Sequence, residues 1–206
     1  MTSFRPFRMP APVRWAYPGA YFKQPGPERV VYLTFDDGPT SQMLPWILDQ
    51  LERFNARATF FCVGENVRRH PQLFRSLLER GHRVGNHTHR HLNGWQTSTR
   101  QYLSDIHEAR STIHGDLFRP PYGRLRWSQY RKLRAQGMHI VLWSLLTYDF
   151  DRRISSAYIL NQLRSQLRPG DIIVFHDHVK AAHHLWAVLP AFLSYLHQLG
   201  YRCAVL

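Results

Sequence analysis

Cysteine is nearly absent from this chain: Cys62 and Cys203 are the only two in 206 residues. Each lies in an apolar run, so both read as buried core thiols rather than as a disulfide or a metal-binding pair. Lysine is almost as scarce, with Lys23, Lys132 and Lys180 the only three. The basic excess, 27 Lys and Arg against 14 Asp and Glu, is therefore carried by arginine. It is scattered, with no basic helix, no zinc-finger spacing and no aromatic–basic single-strand platform. That argues against a nucleic-acid partner; attraction to an anionic polymer or surface, or merely a basic proteome, is the plainer reading. No apolar stretch is long enough to cross a bilayer, and there are no internal repeats or low-complexity tracts.

What is present is a globular composition. Hydrophobic content of 44% and aromatic content of 14% suffice for one domain with a substantial core. Residues 1–28 are rich in proline, arginine and aromatics and lack periodicity. They read as an extended arm packed on a domain spanning 29–206. The first 15 residues are basic and proline-broken, without the apolar core of a secretory signal. The default expectation is a cytoplasmic monomer, with a cell-envelope function as the alternative.

From residue 29 onward, short apolar runs alternate with longer amphipathic ones. Strands are predicted at 30–35, 58–63, 82–86, 117–118, 138–143, 171–175 and 201–206. Helices are predicted at 42–54, 71–80, 100–113, 127–135, 155–167 and 185–199. About seven βα units with strands apolar throughout predict an α/β domain with a parallel sheet covered on both sides, open or closed into a barrel.

The chemistry-bearing residues cluster just past the predicted strand ends, which converge on one face of such a fold. Asp36 and Asp37 end the first strand. Adjacent carboxylates repel, and burial makes this worse, so a cation or a facing arginine is expected beside them. His87, His89 and His91 follow the third strand. A helical turn would pair His87 with His91, whereas an extended chain would align all three; spacing alone leaves both open. With Asp37, two imidazoles make a catalytic-type metal set with open positions. Arg119-Pro120-Pro121-Tyr122-Gly123 fixes an arginine able to pair with a carboxylate, and the Tyr122 amide can face a cavity. His176 ends an apolar run and suits a general acid or base. Asp149, or alternatively Asp151, is positioned to orient it. Together these residues point to a metal-dependent hydrolase.

Five stretches taken in order, 34–38 (TFDDG), 87–91 (HTHRH), 119–123 (RPPYG), 143–150 and 173–176, resemble the polysaccharide deacetylases, carbohydrate esterase family 4 with its NodB homology domain. The resemblance covers roughly residues 29–206. It implies a distorted (β/α)7 barrel in a single domain. It also implies hydrolysis of N-acetyl groups on amino sugars of a peptidoglycan- or chitin-type glycan, releasing acetate. The family's ligands fall on Asp37, His87 and His91, leaving His89 out, for one divalent ion, zinc in the first place and cobalt or nickel otherwise. By the same resemblance Asp36 is the general base, Arg119 holds it, and Tyr122 contributes an oxyanion-binding amide. His176 is the general acid, tuned by Asp149. Phe150, Val174, Pro120 and Pro121 belong to the substrate pocket. Phe150 stands where the family commonly has tryptophan, and Val174 where it often has leucine, so a reshaped pocket is expected. Other classes kept in view are a metal-dependent amidase or esterase on a non-sugar substrate and a non-catalytic glycan-binding barrel.

Overall fold

The structure, a computed structural model, describes residues 6–26 and 29–206. Eight strands, all parallel where they pair with one another, form one curled sheet. They are β1 (Val30–Asp36), β2 (Ala58–Cys62), β3 (Arg83–Asn86), β4 (Leu117–Phe118), β5 (His139–Ile140), β6 (Leu145–Leu146), β7 (Ile172–His176) and β8 (Arg202–Cys203). The sheet order is β5-β4-β3-β2-β1-β7-β6, and β8 pairs with the first residues of β1. This is a single-domain α/β fold of the distorted (β/α)7 barrel type.

The helices follow the amphipathic segments: α2 (Leu44–Arg53), α4 (Pro71–Glu79), α5 (Thr99–Arg110), α6 (Trp127–Ala135), α7 (Ser156–Gln166) and α8 (Ala182–Gln198). Two short ones, α1 (Ala11–Ala16) and α3 (Gly64–Arg69), had too few turns to give a periodic signal. Alternation along β1 shows how the layers arise. Val31, Leu33 and Phe35 enter the large outer core with α2, α7 and α8. Tyr32 joins the inner cluster of Phe61, Leu117, Val141 and Ile172. Thr34 and Asp36 share its side of the strand, so the period of two aims Asp36 inward.

Register then sets the site. Asp36 lies directly opposite His176 across β1 and β7. Cys62 lies opposite Asn86, and Asn86 opposite Phe118. His87 and Arg119, the next residues along, continue that ladder through backbone bonds to Cys62 and Asn86.

Two expectations need correction. The predicted strand at 138–143 is broken: only His139–Ile140 pairs as β5, and a separate β6 at Leu145–Leu146 pairs with β7. The physical reason is Arg119, whose guanidinium takes the carbonyls of Val141 (3.4 Å) and Leu142 (3.0 Å). The N-terminal segment is not wholly extended either. It is strand-like around Arg8 and Tyr21, but between them Pro12, near the N-terminus of α1, suits the short helix. Its two strand-like pieces fill the seam between β5 and β6. Tyr21 exchanges backbone bonds of 2.8 Å with Ile140 and Leu142, while Met9 donates to Ser144 and Leu146 donates to Phe7, both at 2.9 Å.

Phe7 anchors this segment, being buried against the edges of the Tyr148 and Tyr158 rings at centroid distances of 5.6 and 5.9 Å. Phe7→Ala is expected to cost about 3 kcal/mol, read as a lower Tm and a lower urea midpoint at unchanged m-value. An unchanged midpoint would show that the seam contributes nothing to stability.

Candidate active site

Arg119 is fully buried, with no exposed surface. Its Nη1 donates to Asp36 Oδ1 and to Thr34 Oγ1, both at 2.7 Å. Its plane lies over the Phe61 ring, 4.1 Å from the centroid. Burial pulls the guanidinium below its usual pKa, and the Asp36 carboxylate opposes that shift. The pair is self-consistent: each charge offsets the desolvation of the other.

Asp37 leaves the strand with φ of 77° and turns its carboxylate to the other side of the cleft. There its Oδ1 lies 3.1 Å from His91 Nε2 and 3.6 Å from His87 Nε2. One ligand atom from each of Asp37, His87 and His91 falls within 4.8 Å of the others. His87 Nδ1 sits 2.8 Å from the Arg119 carbonyl. Only a protonated Nδ1 can donate to that carbonyl, which leaves Nε2 as a bare lone pair facing the group. Burial, partly opposed by Asp36 and Asp37, holds His87 down to about 4, so it stays neutral and able to ligate. Burial raises the Asp37 pKa, but the hydrogen bond from His91 and the nearby His176 outweigh it and keep the carboxylate ionised.

The open question of the three histidines is resolved by backbone geometry. The loop is neither helix nor strand: Thr88 and His91 have φ of 65° and 56°. This brings His87 and His91 together, with ring centroids 5.1 Å apart. His89 turns away to α5, where its Nε2 lies 3.2 Å from Glu108. A carboxylate that sequence reasoning missed, Asp105, holds the loop by accepting from the His89 and Arg90 amides at 2.6 and 3.0 Å. The available signal was an acidic residue among Tyr102, Ile106 and Ala109 on the buried face of α5.

On the facing wall, His176 Nδ1 lies 2.7 Å from Asp149 Oδ1, and its amide donates to Oδ2 at 2.9 Å. Burial lowers the imidazole pKa, but the Asp149 charge and hydrogen bond outweigh it and raise His176 to about 9. Asp151, the competing candidate, instead takes Arg153 at 2.8 Å. Phe150 puts its ring edge against His176, centroids 4.9 Å apart.

Tyr122 and Gly123 both have left-handed backbones, with φ of 60° and 66°. A Cβ on Gly123 would come within 2.6 Å of the Trp143 ring, so only glycine lets the two approach. The cleft holds about 580 Å³. Its lining includes Asp36, Asp37, His87, His91 and His176 together with Tyr122, Phe150 and Val174. Pro120 and Pro121 were expected there too. They are buried and do not line it; their part is in shaping the turn that carries Tyr122.

Asp177 follows His176 and is fully buried. It accepts from the Thr40 hydroxyl at 2.7 Å and its amide at 3.1 Å, and donates its own amide to the Asp36 carbonyl at 2.8 Å. A Cβ on Gly38 would meet its Oδ2 at 2.1 Å. Asp177 thus clamps the turn after the two aspartates, and burial pushes its own pKa up to about 7 against the Thr40 hydrogen bonds.

The geometry has counterparts among known proteins. The polysaccharide deacetylase family model matches residues 23–141. A peptidoglycan-N-acetylglucosamine deacetylase of Bacillus cereus is 33% identical over 184 residues, covering 86% of each chain. A chitooligosaccharide deacetylase of Sinorhizobium fredii is 34% identical over 154 residues, covering 71% of each. The peptidoglycan deacetylase PgdA of Listeria monocytogenes is 32% identical, and the chain spans 37% of its length. Among solved structures, a peptidoglycan N-acetylglucosamine deacetylase in complex with an N-oxidanyl-benzamide superposes with a TM-score of 0.88 at 29% identity, covering 96% of this chain and 95% of that one. A family 4 carbohydrate esterase of Streptomyces lividans in complex with acetate gives 0.75 at 29%, covering 85% and 92%.

Arg119→Met is expected to cost about 3–5 kcal/mol by leaving Asp36 buried and uncompensated. The double variant Arg119→Met with Asp36→Leu should recover part of that loss in urea unfolding. A double variant no more stable than the single one would show that the pair is not the source of the cost.

Proposed function

Because the chain belongs to the polysaccharide deacetylase family, hydrolases acting on amide bonds, we propose that it removes N-acetyl groups from amino-sugar units of a peptidoglycan- or chitooligosaccharide-type glycan, releasing acetate. The observation that carries this reading is the Arg119-clamped Asp36, in strand register with an Asp149-held His176 and next to a convergent Asp37, His87 and His91. An amide needs a base for the attacking water and an acid for the departing nitrogen. The cleft offers one carboxylate and one imidazolium for those tasks. A peptidoglycan-type substrate lies in the cell envelope, and this reading favours that location over the cytoplasmic one.

Asp37, His87 and His91 suit a divalent ion by donor chemistry: two imidazole nitrogens and one carboxylate oxygen, zinc being the best match. Such an ion supplies polarisation of the acyl carbonyl and an acidified water. Asp36 accepts the water's proton. Its pairing with Arg119 holds it aimed, so no reorientation is needed. The Tyr122 amide, presented by the Pro120–Gly123 turn, donates to the developing oxyanion, a contribution of about 3 kcal/mol for one such donor. His176 gives its proton to the leaving nitrogen. Phe150 and Val174 bound the space left for the acetyl methyl, and Phe150 shields the His176 ring.

Asp36→Asn should keep its metal, measured by elemental analysis, while acetate release from glycan oligomers falls by about 10²–10⁴-fold. Metal loss in that variant would mean that the two aspartates have exchanged roles.

The pH dependence follows from His176. Its folded pKa of about 9 exceeds the ordinary 6.5. The stability it confers is thus fully present below about pH 6.5 and is lost as pH rises through about 9. As the proton donor it works only below its pKa, so kcat/KM should fall on the alkaline side near or below pH 9, since a bound cation lowers the value. Asp149→Asn should move this limb towards 6.5. An alkaline limb unmoved by that change would remove His176 from the acid role.

A further inference from the structure

From the reaction centre a row of side chains leads out of the cleft, and beyond His91 the chemistry above uses none of these side chains. It starts at His91, whose ring meets the Tyr122 ring edge-on at 4.8 Å. Arg124 follows, its guanidinium carbon 6.0 Å from the Tyr122 centroid and 5.2 Å from that of Trp95. Trp95 and Tyr122 are large apolar groups left 55% and 61% exposed. Trp95 lies outside the cleft lining, so the row extends past it.

The row is built rather than incidental. The Trp95 indole N–H donates to the Leu125 carbonyl at 3.4 Å, and its own carbonyl accepts from Arg126 at 2.6 Å. Buried Gln129 ties the two loops together, donating to the Gly94 carbonyl at 2.9 Å and accepting from the Arg126 amide at 2.9 Å. The exposed rings are thus held in place before any ligand arrives, which removes much of the ordering cost of binding. Arg124 is exposed and has no acidic partner among the described residues. A guanidinium flanked by two rings keeps its in-plane N–H edge free for a planar anion. Lys180 adds a positive charge to the cleft lining, whereas Arg90 on that lining is paired with Asp105 and Glu108.

We propose that Tyr122, Arg124 and Trp95 form a subsite for glycan residues flanking the reactive sugar, in which Trp95 stacks on a pyranose ring and Arg124 pairs with a carboxylate borne by the polymer. The inference rests on the deacetylase reading and narrows its substrate class to an anionic glycan of several sugars. Binding energy gained away from the reacting amide serves the transition state by fixing the acetyl group, so longer carboxylate-bearing chains turn over better.

The test compares three probes: N-acetylglucosamine disaccharide, its neutral tetrasaccharide, and a tetrasaccharide of the same length with carboxylates on alternate sugars. In the wild-type holoenzyme kcat/KM rises in that order. R124Q lowers the ratio of anionic to neutral tetrasaccharide about tenfold, as for one charged hydrogen-bonded contact, and R124K recovers part of it. W95A lowers the ratio of tetrasaccharide to disaccharide. Ratios unchanged in both variants overturn the subsite, whatever the absolute rates. If no glycan releases acetate, the functional reading falls by itself. The subsite is then decided by fluorescence titration of the wild type, R124Q and W95A with the two tetrasaccharides: weaker binding in the variants supports it, and equal affinities overturn it.

Discussion

The buried pair of Arg119 and Asp36 is the constraint around which this barrel is organised. One guanidinium bonds to a carboxylate, a threonine hydroxyl on the same strand and two main-chain carbonyls of the 139–146 segment. Those two carbonyls are then unavailable to a strand ladder. The sheet opens between β5 and β6 as a consequence, and the N-terminal segment supplies the missing backbone partners. Charge placement inside the barrel and the incomplete closure of its wall are two faces of the same interaction. A charge so deeply buried costs several kcal/mol unless partnered, which explains why each of the three guanidinium nitrogens has an acceptor.

Asp37, His87 and His91 are held by equally local means. Among the described residues, seven non-glycine residues have left-handed φ values, and Asp37, Thr88, His91, Tyr122 and Tyr148 among them lie at or beside the cleft. Each such residue costs on the order of 1–3 kcal/mol and survives only where its surroundings dictate it. Here Asn66 donates to the Asp37 carbonyl at 2.7 Å, Asp177 clamps the following turn, and Asn86 and Asp105 fix the Thr88–Arg90 amides. The strain sits where three ligand atoms must converge.

Much of this could be read before any coordinates. Apolar runs with helical spacers gave the parallel sheet, because strands buried on both faces lack alternation. The titratable residues at the ends of those runs were bound to meet, since parallel strands end on one face. What could not be read has physical causes. β6 and α3 are too short for periodicity to register. The split at Val141–Leu142 depends on a side chain 22 residues away in sequence, so no local pattern contains it. Spacing alone could not choose between a His87–His91 pair and all three histidines, and only the family resemblance left His89 out; the turn itself rests on two left-handed residues, Thr88 and His91, neither of which has glycine's preference for that region. Asp105 and Asp177 act through main-chain amides, and a carboxylate that accepts from backbone looks in sequence like any other.

The adjacent aspartates show how little sequence distance is needed to separate two chemical roles. Along an ideal strand, Asp36 and Asp37 would point to opposite faces and only one would reach the barrel interior. Asp36 keeps the strand geometry, takes Arg119 and lies level with His176. The left-handed φ of Asp37 swings its carboxylate away from that pairing to His91. Their environments diverge accordingly. One carboxylate is paired with a fixed guanidinium, while the other faces imidazole nitrogens. Like charges on neighbouring residues would otherwise drive one of the two to protonate. Opposite partners on opposite sides relieve that repulsion, and the single reversed backbone angle between them is what sends one carboxylate to a guanidinium and the other to two imidazoles.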